Sequence, residues 1–328
     1  MVLFWAAVLA ISILIYVLLD GSDLGVGMLF GVARGESQRH VMMSAVAPIW
    51  DGNETWLVVS GVTLWAAFPL VYSILMPAFY LPVLLGVAGL ILRGVAFEYR
   101  HQTERWRWIW DASFAGGSLV AAFMQGVMVG ALVEGIPIAD GRYVGGLFGW
   151  LSPFAVLCGI GLCAGYMLLG ACWLVRKCEG AVRQAAYRII PYLSITLLAF
   201  LVVVFAYALT ENLPVMSRWL QRPYLFFFPI VGILAAMVLA LNVRRRRDGP
   251  PFIMVTFIFL AAYCTLAISF WPYMIPFAVT VEQAAAPYSS LAFMFWFAGI
   301  IVFPLMLIYT AVSLSAFRGK VGPAVEHY

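Results

Sequence analysis

The sequence has few charged residues for its length, and this scarcity excludes most soluble folds. Across 328 residues, 10% are charged and 64% are hydrophobic, and the mean hydropathy is +0.99. A soluble domain is about half apolar and about a quarter charged, so much of this chain must face lipid. The net charge of +4 is spread between apolar runs and forms no single basic face, so we expect no nucleic-acid partner.

Histidine and closely spaced cysteine are also scarce. The histidines are His40, His101 and His327, all in predicted loops or the tail, so the predicted membrane helices offer no histidine ligand for haem or copper. The five cysteines form no C-x-x-C pair, which argues against zinc and disulfides. No nucleotide-binding motif is present either. We therefore expect this chain to bind no metal and no cofactor.

Long apolar runs predict an all-α, polytopic membrane protein with about nine transmembrane helices. A helix needs roughly 20 apolar residues to cross the hydrocarbon. The first run lacks a positive n-region and a cleavage site, so it is interpreted as a retained helix. The runs lie at about 2–24, 41–68, 75–97, 109–133, 146–175, 189–209, 223–243, 251–273 and 291–316.

The division of this single membrane domain (1–328) follows from the runs. We expect a first four-helix unit at 1–135, a second at 145–276 and a ninth helix at 290–316. The longest external connection, 272–290, is expected to lie along the membrane surface.

Lysine and arginine predict the orientation. Of 19 such residues, 15 lie in the C-terminal tail or in the loops after the first, third, fifth and seventh helices. Loops rich in these cations stay on the cytoplasmic side. The N-terminus is therefore expected outside and the C-terminus in the cytoplasm.

Ionisable residues within the predicted helices are confined to the first four. Such residues are costly in lipid and need a partner, water or a function. With a helical rise of 1.5 Å per residue, they are predicted to lie in the cytoplasmic half of the membrane. Asp51 is predicted to be the deepest of them. Asp51→Asn should therefore impair the function of the protein more than Glu54→Gln. The residues concerned are Asp20, Asp23, Asp51, Glu54, Arg93, Glu98 and Asp111.

Two interpretations of these residues remain open. In the first, Asp20, Asp23, Asp51 and Glu54 form a proton or cation path, because each pair is spaced i, i+3 and shares a helix face. A supporting polar cluster would then comprise Trp50, Asn53, Arg93, Glu98 and Asp111. In the second, the acids form static ion pairs, for example Arg93 with Asp51 or Glu54, and Asp111 caps its helix. A proton- or cation-coupled transporter is the alternative function.

Several motifs are spread along the whole chain. They lie at 19–29, 47–57, 66–69, 92–100, 106–111, 116–118, 271–276 and 284–290. The Trp-Asp-Gly-Asn-Glu block at 50–54 is the most specific of them. Together they resemble the motifs of a known family, subunit II of cytochrome bd-type quinol oxidases, which includes cyanide-insensitive members. Ile49 departs from the pattern, because some members carry a histidine there.

The resemblance implies a role in aerobic respiratory electron transport in a bacterial inner membrane. It implies a heterodimer in which subunit I carries haems b and d, oxidises quinol and reduces oxygen to water. This chain would be the haem-free subunit that scaffolds subunit I and delivers protons from the cytoplasm. Family members also contact membrane lipid and, in some cases, a bound quinone near 47–57 or a small single-helix accessory subunit.

Overall fold

The computed structural model describes residues 1–103, 105–211 and 213–321 and is almost entirely helical. The helices are α1 (Val2–Phe30), α2 (Glu36–Ser44), α3 (Trp50–Ala67), α4 (Pro69–Ala78), α5 (Tyr80–Tyr99), α6 (Arg107–Glu134), α7 (Pro153–Lys177), α8 (Gly180–Thr210), α9 (Pro214–Gln221), α10 (Phe227–Arg244), α11 (Pro250–Phe270), α12 (Val281–Ala284), α13 (Tyr288–Met294) and α14 (Phe303–Ala316). A π-helical stretch, Phe295–Val302, joins α13 to α14.

Two short antiparallel pairs lie in the connections between these helices. The first pairs β1 (Ile138–Ala139) with β2 (Arg142–Tyr143), and the second pairs β3 (Tyr273–Ile275) with β4 (Val279–Thr280). The second pair and α12 both lie within the 272–290 connection.

The prediction of about nine spans is confirmed. Eight continuous helical segments in the described residues are long and apolar enough to cross a membrane, and the bent pair α3–α4 makes nine if it counts as one span. Several helices extend beyond their predicted runs. For example, α8 begins at Gly180, whereas the predicted run begins at 189. The first turns of α8 carry Arg183 and Arg188, so they fall outside the apolar run.

The second predicted span, 41–68, has a different form. Its first part is α2 followed by a turn at 45–49, and α3 begins only at Trp50. Pro48 lies in this turn and has no N–H to donate to a helix. A second break falls at Phe68, where α3 and α4 meet at 120°, since the residue before Pro69 disfavours helical geometry. The segment between the predicted second and third runs, 69–74, was expected to be a connection. It belongs instead to the helix α4.

Helix α1 lies at the centre of the bundle and packs against α3, α6 and α7. Its contact with α7 is close enough that a side chain at Gly25 would overlap the carbonyl oxygen of Tyr166, and one at Gly170 would meet the α1 backbone. Small residues allow such close approach between membrane helices. By contrast, α8, α10 and α14 expose most of their apolar side chains.

Different loops contact each other at the two ends of the bundle. At one end, the Trp5 indole donates to the carbonyl of Leu291, and the N–H of Ala286 donates to the carbonyl of Ala67. At the other end, Trp173 donates to Ala45 at the α2–α3 turn, and the tail returns to Lys177. The α2–α3 turn, the end of α7 and residues 319–321 thus meet at one end of the bundle.

Candidate functional site

A fully buried arginine forms the centre of the candidate site. Arg93 of α5 donates from Nη1 to Asp20 Oδ1 at 2.6 Å and from Nη2 to Glu54 Oε2 at 2.8 Å. Its guanidinium carbon lies 5.9 Å from the ring centre of Trp50, which itself stacks on Phe97. Three helices, α1, α3 and α5, therefore meet through one cation.

A second link joins two of these helices, α1 and α3. The amide of Asn53 donates to Asp23 Oδ2 at 2.7 Å, and both residues are buried. Because Asp20 and Asp23 lie three residues apart on α1, and Asn53 and Glu54 are neighbours on α3, the two links form one cluster. Its opening is at Glu54, whose side chain is 28% exposed, whereas that of Asp20 is 0% exposed.

The cluster contains more acid than its hydrogen bonds can satisfy. One guanidinium faces three carboxyl groups, those of Asp20, Asp23 and Glu54. Among the residues that the structure describes, Oδ2 of Asp20, Oδ1 of Asp23 and Nε of Arg93 have no hydrogen-bond partner. Unpaired charge is costly in a buried site, so the excess carboxyl groups need protons or water.

The depth predicted for Asp51 is wrong. That estimate counted residues from a helix start near 41, but α3 begins at Trp50, so Asp51 lies in its first turn and its side chain is exposed. Arg93 pairs with Asp20 and Glu54 and not with Asp51. Glu98 is also exposed, and neither it nor Asp51 forms an ion pair within the described part of the chain.

Asp111 belongs to a separate ionic cluster at the bundle end. It accepts from Arg39 and from Arg100, both at 2.6 Å, and Arg100 also donates to Glu36 at 2.8 Å. The expected capping role is wrong, because Asp111 is the fifth residue of α6 and makes no cap hydrogen bond. Although partial burial raises the pKa of Glu36, its hydrogen bond with Arg100 and that residue's charge bring the pKa below its ordinary value.

Comparison with known proteins decides the family. Residues 1–317 match the family model described as cytochrome bd terminal oxidase subunit II. The chain belongs to this family. The resemblance drawn from the motifs is confirmed.

Relatives of the subunit II family match over nearly their whole length. A protein from Haemophilus influenzae named as a probable cytochrome oxidase subunit 2 is 30% identical, with 96% of this chain and 94% of the relative covered. Subunit 2 of the cytochrome bd-I ubiquinol oxidase of Escherichia coli is 27% identical, with 94% and 91% covered. A chain of the bd oxidase structure from Geobacillus thermodenitrificans has the same fold, with a TM-score of 0.78, 16% identity and 96% of each chain covered.

Residues outside the motifs of the bd subunit II family extend the buried polar region. Gln125 of α6 lies between two tyrosines, donating to Tyr16 at 2.8 Å and accepting from Tyr166 at 2.9 Å. Sequence reasoning missed them because it followed charge. The available signal was an amide in the middle of an otherwise apolar run.

The two histidines in the described residues lie apart from the Arg93 cluster. His40 is in α2 and His101 is in the turn after α5, with ring centres 5.8 Å apart. His327 lies outside the described residues. Within the described ranges, no group of three or more histidine, cysteine, aspartate or glutamate side chains is arranged to hold a metal ion.

Proposed function

We propose that this chain is the haem-free subunit II of a bd-type quinol oxidase in a bacterial inner membrane, and that it supplies protons from the cytoplasm. Haems b and d, quinol oxidation and oxygen reduction would reside in subunit I, which this chain scaffolds. Reduction of oxygen to water consumes protons, so a proton supply is a chemical requirement of the complex. The similarity to subunits of cytochrome bd oxidases supports the assignment to an oxidase, and the buried acids support the proton role.

The charge balance of the Arg93 cluster carries the proton proposal. If Asp20, Asp23 and Glu54 were all ionised, one guanidinium would face three negative charges in an apolar interior. Carboxyl groups that share a site cannot all ionise readily, so at least one of them binds a proton. The protons on such a group belong to the cluster and move among its members.

The order of the path follows from exposure. Asp51 is exposed, Glu54 lies one turn further along α3 and is partly exposed, and Asp20 and Asp23 are buried. A proton would thus enter near Asp51 and Glu54 and reach Asp20, with Arg93 holding the acids together. Asn53 donates to Asp23 and so orients that buried carboxyl group.

Asp20→Asn in the purified complex tests the proton role. Asparagine keeps the size of the side chain and can accept from Arg93, but it cannot release a proton. We expect the complex to assemble with normal haem content and to consume oxygen more slowly per haem. Asp140→Asn, at an exposed acid in the β1–β2 turn, is the matched control. Unchanged turnover in Asp20→Asn would exclude the role.

Expression of the chain by itself tests whether the haems are bound by subunit I and not by this chain. The isolated chain should show no haem spectrum, whereas the chain co-purified with subunit I should show haem bands. Mass spectrometry of that complex would also reveal any small accessory subunit. A stoichiometric haem spectrum from the isolated chain would contradict the proposal.

Reporter fusions test the orientation in the membrane. A reporter near Asp140 should be external, and one after Tyr328, beyond the described residues, should be cytoplasmic. The opposite result at either site would move the acid entrance to the other side of the membrane.

A further inference from the structure

A buried hydrogen-bonded triad adjoins the acid cluster, and the proposed proton path does not include it. Tyr166 of α7 donates to Oε1 of Gln125 at 2.9 Å, and Nε2 of Gln125 donates to the hydroxyl of Tyr16 at 2.8 Å. Both tyrosines are buried, with Tyr166 fully enclosed. The triad therefore joins α1, α6 and α7 through polar groups inside an apolar bundle.

The triad lies beside Asp20. Tyr16 precedes Asp20 by four residues on α1, so the two side chains share a helix face. The ring of Tyr166 packs directly against Gly21, where an added Cβ would come within 2.5 Å of its Cε1. The glycine that follows Asp20 thus makes room for the tyrosine that ends the triad.

The hydrogen-bond inventory leaves one donor and one acceptor unmatched at this point. A tyrosine hydroxyl has one hydrogen to donate, and the oxygen of Tyr16 already accepts from Gln125. Within the described ranges, the hydroxyl of Tyr16 donates to no other group, and Oδ2 of Asp20 accepts from none. A buried polar group without a partner is costly, so a small rotation that pairs these two atoms is favoured.

We propose that Tyr16 is a positioning residue for Asp20, donating its hydroxyl hydrogen to Oδ2 of the ionised carboxylate. Gln125 and Tyr166 hold the hydroxyl in that direction, since every donor in the triad points toward Asp20. This inference rests on the proposed proton role of Asp20. It also limits the path on this side, because an amide keeps its hydrogens and Gln125 passes no proton onward to Tyr166.

The test compares Tyr16→Phe with Tyr263→Phe in the purified complex. Tyr263 is a matched control because its hydroxyl donates to α1, at the carbonyl of Ala10, away from the acids. Two readouts are needed. The first is oxygen consumption per haem, and the second is the carboxyl region of the infrared difference spectrum between oxidised and reduced complex, in which the Asp20 band is the one that disappears in Asp20→Asn.

We expect Tyr16→Phe to shift the Asp20 band and to lower turnover by about tenfold, because the carboxylate loses a hydrogen-bond donor. Tyr263→Phe should change neither readout. Gln125→Met, which leaves Tyr16 in place but removes its anchor, should shift the same band by less. If Tyr16→Phe does not assemble, the presence or absence of this band shift in Gln125→Met tests the positioning role of Tyr16.

The outcomes separate the two proposals. Wild-type turnover in Asp20→Asn would overturn the proton role, and the infrared band would then decide the positioning role by itself. A slow Asp20→Asn with a Tyr16→Phe that matches Tyr263→Phe in both readouts would overturn the positioning role and leave the proton role intact.

Discussion

The ionic clusters around Arg93 and Asp248 are both built from arginine and acidic residues, but they differ in the balance of donors and acceptors. Around Arg93, one cation serves three acids, and two carboxyl oxygens in the described residues remain without donors. Around Asp248, at the bundle end, one acid receives hydrogen bonds from Arg183, Tyr187 and Lys320 at 2.8–2.9 Å. The first cluster has too many acceptors, and the second has enough donors for both oxygens of its acid.

The difference teaches how to separate a proton site from a structural contact. Excess donors fix a carboxylate in its ionised state, as at Asp248, where partial burial raises the pKa but hydrogen bonds from Arg183, Lys320 and Tyr187 lower it to about 2. Excess acids around one cation leave the number of bound protons open to change. The predictions below test this comparison.

The largest effect is expected from Arg93→Met. Within the described residues Arg93 is the only cation bonded to these acids, so its removal leaves buried carboxylates unpaired, at a cost of about 3–5 kcal/mol. The recovery and thermal midpoint of the purified complex should both fall. Arg247→Met, at an exposed arginine, should leave them unchanged. An Arg93→Met complex with the wild-type midpoint would show that the acids are already neutral.

Gly25→Ala should have the next largest effect. Its Cβ would overlap the backbone of Tyr166 and force α1 away from α7, and overpacking of this kind costs about 1–3 kcal/mol. Gly232→Ala is the control, since its Cβ would meet only Ala261 at 3.6 Å. Equal thermal midpoints for the two variants would contradict the close contact of these helices.

A smaller effect separates two acids on α3. Glu54→Gln should slow oxygen consumption per haem by about tenfold, corresponding to about 1.4 kcal/mol, because Glu54 accepts from Arg93 at the opening of the cluster. Asp51→Asn should slow it less, because Asp51 is exposed and bulk water can replace it. This order reverses the one expected from the sequence. A slower Asp51→Asn would mean that subunit I covers this acid in the complex.

The smallest effect is expected at the bundle end. Asp248→Asn should lower stability by about 1 kcal/mol or less, as for partly exposed ion pairs. The pKa of Asp248 is lowered from 3.8 to about 2, so its contribution is fully present above pH 3.8 and is lost as the pH falls through 2. Thermal midpoints of wild type and variant should therefore converge as the pH falls over this range. A difference that is independent of pH would exclude ionisation of Asp248 as its source.

Much of the fold could be predicted because hydrophobic run length and helix rise are local properties. The number of spans follows from apolar runs, and the confinement of charge to the first helices correctly indicated where the Arg93 cluster lies. The break at Pro48 was missed because proline is also found within membrane helices, where tertiary contacts satisfy the freed backbone groups. That single break produced the wrong depth for Asp51.

Side-chain partners were harder to predict than the number of spans. Asp20 and Glu54 both reach Arg93, but the choice among several acids depends on how three helices are rotated about their axes. Helix rotation is set by packing at positions such as Gly21 and Gly25, and spacing within one helix carries no information about it. Tyr16 and Tyr166 were missed for the same reason, since their role appears only when α1, α6 and α7 are brought together.

The hydrogen bond from Ala286 to Ala67 has a consequence for biogenesis. At the 120° bend after α3, the carbonyl of Ala67 accepts from the N–H of Ala286, a residue that is synthesised near the end of translation. The neighbouring bond from Trp5 to Leu291 joins residues 286 positions apart. The nascent α1–α4 region therefore cannot close this end of the bundle until the last loop leaves the ribosome. The early helices therefore insert into the membrane before the bundle around the acid cluster is complete. A chain truncated before residue 286 would insert but would lack the two hydrogen bonds that close this end of the bundle.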